Sequence, residues 1–209
     1  MAQAIFKSWF VDFERSKPFT DIVQVLGGGT PKTTTDKYWG GSIPFFTPKD
    51  SKTIYVLSTE KSLTELGLIN CNSQLYPVNT VFVTARGTVG KLAIAGIPMA
   101  TNQSCYALIG NAGYGQYFVY HLALETIENL KHKASGAVFD AIVTRDFENE
   151  IVPAPSIDII YVFEEKVTPI YEAILNNLKE SVRLATLRDA LLPKLMSGEL
   201  SVADLDTDK

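Results

Sequence analysis

One stretch constrains this 209-residue chain more than any other. Between residues 156 and 200, apolar side chains recur at Ile160, Phe163, Val167, Ile170, Ile174, Leu178, Val182 and Ala185. The steps are 3, 4, 3, 4, 4, 4 and 3, which place all eight on one face of an α-helix. Leu192 and Leu195 continue the stripe after a polar interruption at Arg188 and Asp189. Ser156 is placed to cap this helix, Asp158 suits the positive end of its dipole, and Gly198 supplies a stop. A helix over 157–195 is roughly 58 Å long at 1.5 Å per residue. Pro169 removes one intrahelical hydrogen bond and predicts a bend, whereas Pro193 falls in the last turns. A small domain cannot cover so long a stripe, so another helix, in this chain or a second one, is the expected partner.

The rest of the chain reads as an ordered domain with its own core, since 46% of residues are hydrophobic and only 20% charged. No run of eighteen apolar residues occurs and residues 1–13 lack the signal-peptide pattern, so a cytoplasmic protein without membrane association is expected. Cys71 and Cys105 are then free thiols without metal-ligand spacing. The net charge of −4 is unevenly spread. Residues 1–155 carry 13 basic and 13 acidic side chains, and residues 156–209 carry 6 and 10. Any nucleic-acid site must therefore be a local patch on a neutral body.

In order, residues 1–16 predict an N-terminal helix with Ile5, Trp9 and Phe6 or Phe10 on one face. The run Leu26-Gly27-Gly28-Gly29-Thr30-Pro31-Lys32 lacks the Gly-Lys-Ser/Thr ending of a phosphate loop and reads as a glycine-rich turn between strands. Next come Tyr38-Trp39-Gly40-Gly41-Ser42-Ile43-Pro44-Phe45-Phe46, a strand beginning at Thr53 and a short helix over 62–68. Residues 80–86 and 91–95 flank Gly87-Thr88-Val89-Gly90, a hairpin signal, and 101–109 is a further strand with a polar entry. Residues 116–130 are helical, with Phe118, Leu122, Ile127 and Leu130 on one face. Lys131-His132-Lys133 then opens a basic loop that ends in the small residues Ala134, Ser135 and Gly136.

Several of these runs, in this order, resemble specificity subunits of Type I restriction-modification enzymes. They are the glycine turn with the Trp39-Gly40 pair and the Ile43-Pro44-Phe45 strand, the Arg86–Lys91 turn, the Asn102-Gln103 pair, the Ser135-Gly136 turn, and the closing Leu187-Arg188-Asp189-Ala190-Leu191-Leu192-Pro193-Lys194-Leu195-Met196-Ser197-Gly198-Glu199-Leu200. The resemblance implies an α+β fold: a mixed β-sheet target-recognition domain with short helices over 17–155, a long coiled-coil-type spacer helix over 156–200, and a polar tail over 201–209. It implies a half-size form, with one recognition domain and one long helix where the family usually has two of each. Lys49, Arg86, Thr88, Lys91, Asn102, Gln103, Lys131 and Lys133 fall at predicted loops or strand edges and are the candidate DNA contacts. Arg and Lys suit guanine edges and phosphates; Asn and Gln suit adenine. Ile160, Phe163, Val167, Ile170, Ile174, Leu178, Val182 and Leu192 are the candidate helix interface. The implied partners are double-stranded DNA, DNA methyltransferase (modification) subunits, restriction (nuclease and translocase) subunits, and a second copy or another half subunit.

No catalytic role is expected. The chain has neither the glycine loop that binds S-adenosylmethionine nor an Asn-Pro-Pro-Tyr-type run, and no paired nucleolytic carboxylates with a nearby lysine. His121 reads as structural and His132, between two lysines, as a phosphate contact rather than a base. No cofactor is expected on this chain; S-adenosylmethionine, ATP and magnesium chemistry belongs to the partners. Two other readings stay open: a coiled-coil protein-interaction module without DNA binding, and the detached recognition half of a single-chain methyltransferase.

Overall fold

Helix α1 (Ala2–Phe10) turns Phe6 and Phe10 inward and leads to strand β1 (Arg15–Pro18), the single turn α2 (Phe19–Ile22) and strand β2 (Val23–Gly27). Strands β3 (Trp39–Phe46), β4 (Tyr55–Val56) and β5 (Lys61–Leu63) precede the short helix α3 (Glu65–Ile69). Strands β6 (Val81–Thr84) and β7 (Leu92–Ala95) form the expected hairpin. Strands β8 (Ala100–Thr101) and β9 (Cys105–Gly110), helices α4 (Gln116–Lys133) and α5 (Thr144–Glu148), strand β10 (Ile151–Pro153) and helix α6 (Ile157–Met196) complete the order. This computed structural model describes residues 1–111, 113–133 and 140–200, so the expected small-residue turn at 134–136 and the tail at 201–209 lie outside the described residues.

A five-stranded sheet has the order β2-β9-β6-β7-β4, antiparallel except for the β4–β7 pair. A three-stranded sheet, β5-β3-β8, and the antiparallel β1–β10 pair stand beside it. All four residues of β6 are buried, which requires cover on both faces of the sheet. One face holds Phe46, Tyr76, Phe82, Met99 and Cys105, with Phe46 stacked on Phe82 at 4.7 Å. Burial pushes the Cys105 thiol up to about 12, so it packs as a small apolar side chain. Helix α4 packs against β6, β7 and β9. Its residues 117–123 are buried all round, not on one face alone, because α1 and the start of α6 cover the side away from the sheet.

The first compact unit is Met1–Ile170, so the domain extends past residue 155 into the first turns of α6. Ile160, Phe163 and Val167 are fully buried there. The Phe163 ring meets Phe6, Trp9, Phe10, Phe118 and His121 at centroid distances of 5.3–6.3 Å. Burial lowers the His121 pKa to about 4, so it sits neutral in this aromatic cluster. The second unit begins at Tyr171, and its described residues hold the remainder of the helix, to Met196. The helix is continuous through Pro169 and Pro193; its first intrahelical bond runs from the Ile160 N–H to the Ser156 carbonyl, and Gly198 at φ +74° ends it.

Four expectations change. The N-terminal helix ends at Phe10, and Arg15 enters β1 by pairing with β10. Residues 61–63 are a strand, held by antiparallel pairing with β3, and the helix starts only at Glu65 behind its Thr64 cap. The 101–109 strand is two strands separated by a turn at 102–104. Lys131, His132 and Lys133 form the last turn of α4, where cations suit the negative end of the dipole, and not a loop.

Helix α6 is fastened to the domain by a carboxylate as well as by apolar packing. Glu164 Oε1 accepts the Phe118 N–H at 2.6 Å. Burial pushes its carboxyl from the ordinary 4.5 up to about 7, opposed by the Phe118 and Tyr117 backbone N–H groups, which favour the charged form. The unfolded chain therefore releases this proton at lower pH than the folded one. Between these two values the folded state holds more protons, and stability falls as pH rises. His121 acts in the opposite sense below its ordinary 6.5, so the informative comparison is with Glu164→Gln. That variant is expected to gain stability over the native chain between pH 5 and pH 8, as urea melts at both values will measure.

Candidate nucleic-acid interface

Loops from distant parts of the domain converge on a cleft of about 370 Å³ lined by Thr47, Pro48, Lys49, Glu60, Lys61, Arg86, Gly87, Asn102 and Ser104. Its walls are built by local hydrogen bonds. Asp50 Oδ2 accepts from both the backbone and the hydroxyl of Thr47 at 2.8 Å, which closes the 3-10 turn Pro48–Asp50 and holds Lys49 outward. Asp50 Oδ1 accepts the Glu60 N–H at 2.9 Å and ties the two loops together. The Arg86 and Ala85 N–H groups both donate to the Ser104 carbonyl, and Ile142 N–H donates to Ala85, so the base of Arg86 is fixed while its side chain is exposed. Asn102 N–H donates to the Phe46 carbonyl at 3.1 Å, and Asn102 Oδ1 accepts the Ser104 N–H at 3.1 Å.

The glycine run has a structural reason distinct from phosphate binding. A Cβ on Gly28 would lie 2.3 Å from the Asn102 carbonyl oxygen, and one on Gly29 would lie 2.5 Å from the Asn72 nitrogen. Only bare backbone fits between these segments. The close approach brings the Thr30 hydroxyl to Gln103 Oε1, to which it donates a hydrogen bond.

Lys49, Arg86 and Asn102 thus share one cleft, with Gln103 on the adjoining turn. Asn102 uses its Oδ1 to hold that turn, so the donor Nδ2 is what it can offer a base edge; a two-point contact to adenine would compete with the turn. Thr88 and Lys91 are exposed at the β6–β7 turn, and the Thr88 carbonyl accepts the Thr84 hydroxyl. Lys131 reaches the same turn: a Cβ on Gly90 would lie 2.9 Å from Lys131 Cε. Lys133 is ion-paired with Glu150, whose side chain is buried, so its charge is already matched inside the chain. Lys61 is not among the sequence candidates; it falls just before the expected helix over 62–68, with no mark of a site. In the structure Lys61 Nζ stands 5.5 Å from the Trp39 ring centroid, and the residue lines the cleft. Glu60 is the carboxylate among the lining side chains, 3.8 Å from Lys49 Nζ. Lys49, Lys61 and Arg86 outweigh it, which makes a local basic patch on a neutral body.

Of the candidate helix interface, Ile160, Phe163 and Val167 are already consumed in the core of the first unit. Ile170, Ile174 and Leu178 are half-buried, and Val182 and Leu192 are exposed. Leu184, Leu187, Leu191, Leu195 and Met196 add further exposed apolar surface. No helix among the described residues is long and apolar enough to cross a membrane.

Residues 11–183 match the family model described as Type I restriction modification DNA specificity domain. The chain is 34% identical over 155 residues to the Type I restriction enzyme MjaIX specificity subunit of Methanocaldococcus jannaschii, covering 72% of this chain and 35% of that protein. It is 30% identical over 189 residues to the Type I restriction enzyme HindI specificity subunit of Haemophilus influenzae, covering 88% of this chain and 41% of the relative. The crystal structure of the HsdS subunit from Thermoanaerobacter tengcongensis superposes with a TM-score of 0.60 at 16% identity, over 95% of this chain and 50% of that one, and shares the fold. The chain spans less than half the length of the two sequence relatives. With most of its length matched by the family model, the chain belongs to the Type I restriction modification DNA specificity domain family.

Proposed function

We propose that this chain reads one half of a bipartite DNA site and directs methyltransferase and restriction subunits to it, pairing through its long helix with a second copy or another half subunit. The observation that carries the reading is the convergence of Lys49, Arg86 and Asn102 from three separate loops, and of Lys61 from the start of β5, on one cleft. Lysines placed this way meet phosphates, and an arginine with a fixed base and an exposed guanidinium suits the O6 and N7 of guanine. Lys91 and Lys131 at the hairpin turn add phosphate contacts beside the cleft, while Lys133 holds the end of α4 through Glu150. The exposed apolar surface of the second unit supports helix pairing. Co-expression with a methyltransferase subunit, co-purification and mapping of methylated adenines test the reading.

Two variants separate reading from holding. Arg86→Ala is expected to relax choice at one base pair, costing about 1–3 kcal/mol of discrimination. Lys91→Ala with Lys131→Ala is expected to weaken all sequences alike. It should also reduce the slope of log K against log salt by about 2, roughly 0.9 for each phosphate no longer neutralised. Fluorescence anisotropy on matched and mismatched duplexes at several salt concentrations gives both quantities. Unchanged discrimination in the first variant and an unchanged slope in the second remove these residues from the interface.

A further inference from the structure

We propose that Glu164 is a positioning residue for DNA spacing: by capping the N-terminus of α4 from α6, it fixes the register of the long helix on the recognition domain. The proposal rests on the bipartite reading above and adds what sets its geometry. The N-terminus of α4 lacks a cap of its own. Gly115, whose carbonyl accepts the first intrahelical bond from the Val119 N–H at 3.0 Å, has no side chain to offer. Glu164, 46 residues further along the chain, supplies the missing acceptor to the Phe118 N–H at 2.6 Å. The fit leaves no spare room, since a Cβ on Gly115 would lie 2.1 Å from Glu164 Cδ and 2.5 Å from its Oε1.

The same helical turn is tied to the sheet. Gln116 Oε1 accepts the Gly110 N–H at 2.8 Å, and its Nε2 donates to the Asn79 and Leu108 carbonyls. Strand β9 runs back from Gly110 to Cys105, directly after the 102–104 turn that lines the cleft. A continuous set of directional bonds therefore links the cleft, β9, the first turn of α4 and α6. The Tyr114 hydroxyl adds another bond, to the Pro155 carbonyl at 3.2 Å, just before α6 begins. Ile160, Phe163 and Val167 supply adhesion whose hydrophobic part is non-directional, and the Glu164 hydrogen bond adds a directional constraint to it. The carboxylate has one acceptor position that meets the helix end, so it selects one register.

The test compares Glu164→Ala, Glu164→Gln and Gly115→Ala in the full chain assembled with its methyltransferase subunit. The DNA library varies only the number of unread base pairs between the half-sites. The native chain is expected to methylate a single spacer length. Glu164→Ala is expected to methylate spacers one base pair shorter and longer at rates at least tenfold above native, with unchanged half-sites. Gly115→Ala, which evicts the carboxylate without removing it, should behave alike. Glu164→Gln keeps the acceptor and should keep the single spacer. A second arm needs no DNA: spin labels on Glu65→Cys and Glu165→Cys, both within the first unit, in a Cys71→Ser background report a distance distribution. It should broaden in Glu164→Ala and Gly115→Ala and stay narrow in Glu164→Gln. A native assembly that methylates no bipartite motif sinks the functional reading, and the label distances then decide the role of Glu164. Single-spacer methylation by Glu164→Ala, or an unbroadened distribution in both alanine variants, overturns the proposal.

Discussion

Replacing Ile174 and Leu178 together with aspartate is expected to turn the assembled chain into monomers and abolish methylation by the complex. Both residues lie in the second unit, beyond the apolar positions that the domain buries for itself. The substitutions therefore leave the core around Phe163 intact, and the isolated domain should still bind a half-site duplex. In a two-fold pair each aspartate enters the seam twice, so four carboxylates must be desolvated or protonated. A total penalty above about 4 kcal/mol weakens association a thousandfold. Light scattering across a concentration series measures the change. A native chain that is monomeric at high micromolar concentration, or a double variant that assembles as tightly as the native one, contradicts helix pairing.

The second large effect concerns length. Inserting four residues after Asn177 adds roughly 6 Å to the helix and nearly restores its face, since 4 is close to the 3.6-residue turn. DNA advances about 3.4 Å per base pair, so the unread spacer should lengthen by about one or two base pairs. The half-site sequences should not change, because the cleft lies wholly within the first unit. Inserting two residues rotates the following stripe by roughly half a turn and is expected to prevent assembly. An unchanged spacer in a four-residue variant that still methylates would show that the helix tethers the domain and does not measure.

What was legible in the sequence was what local periodicity encodes. The 3.6-residue recurrence placed the long helix, Gly198 ended it, and the β-rich runs on either side of the Gly87-Thr88-Val89-Gly90 turn placed the hairpin. What was not legible depends on distant partners. Strand β5 exists because Lys61, Ser62 and Leu63 pair with β3, and nothing in those three residues announces it. The parallel β4–β7 and β3–β8 pairs are equally non-local. The candidate site shows the same division. Lys49, Arg86 and Asn102 were marked by residue type and loop position, but that they share a cleft follows from Asp50, Ser104 and the glycine run. Lys61 was not marked, because its place beside the cleft comes from the pairing of β5 with β3. Glu164 carried no signal, since an acid beside an apolar stripe reads as solvated until the N-terminus of α4 is placed against it. The division of the stripe was hidden for the same reason: Ile160 and Ile174 look alike in sequence, and only α1 and α4 decide which one the domain covers.

Methylation mapping of genomic DNA from cells that co-express this chain with a candidate methyltransferase subunit decides whether the chain selects the methylated sequence. Methylated adenines are expected in one motif of two half-sites separated by a fixed number of unread base pairs. If two copies pair symmetrically, the half-sites are the same sequence in opposite orientation. Arg86→Ala is expected to relax one base pair in each half-site and to leave the spacer untouched. Methylation without any sequence motif, or an identical motif in cells lacking this chain, would contradict selection by this chain.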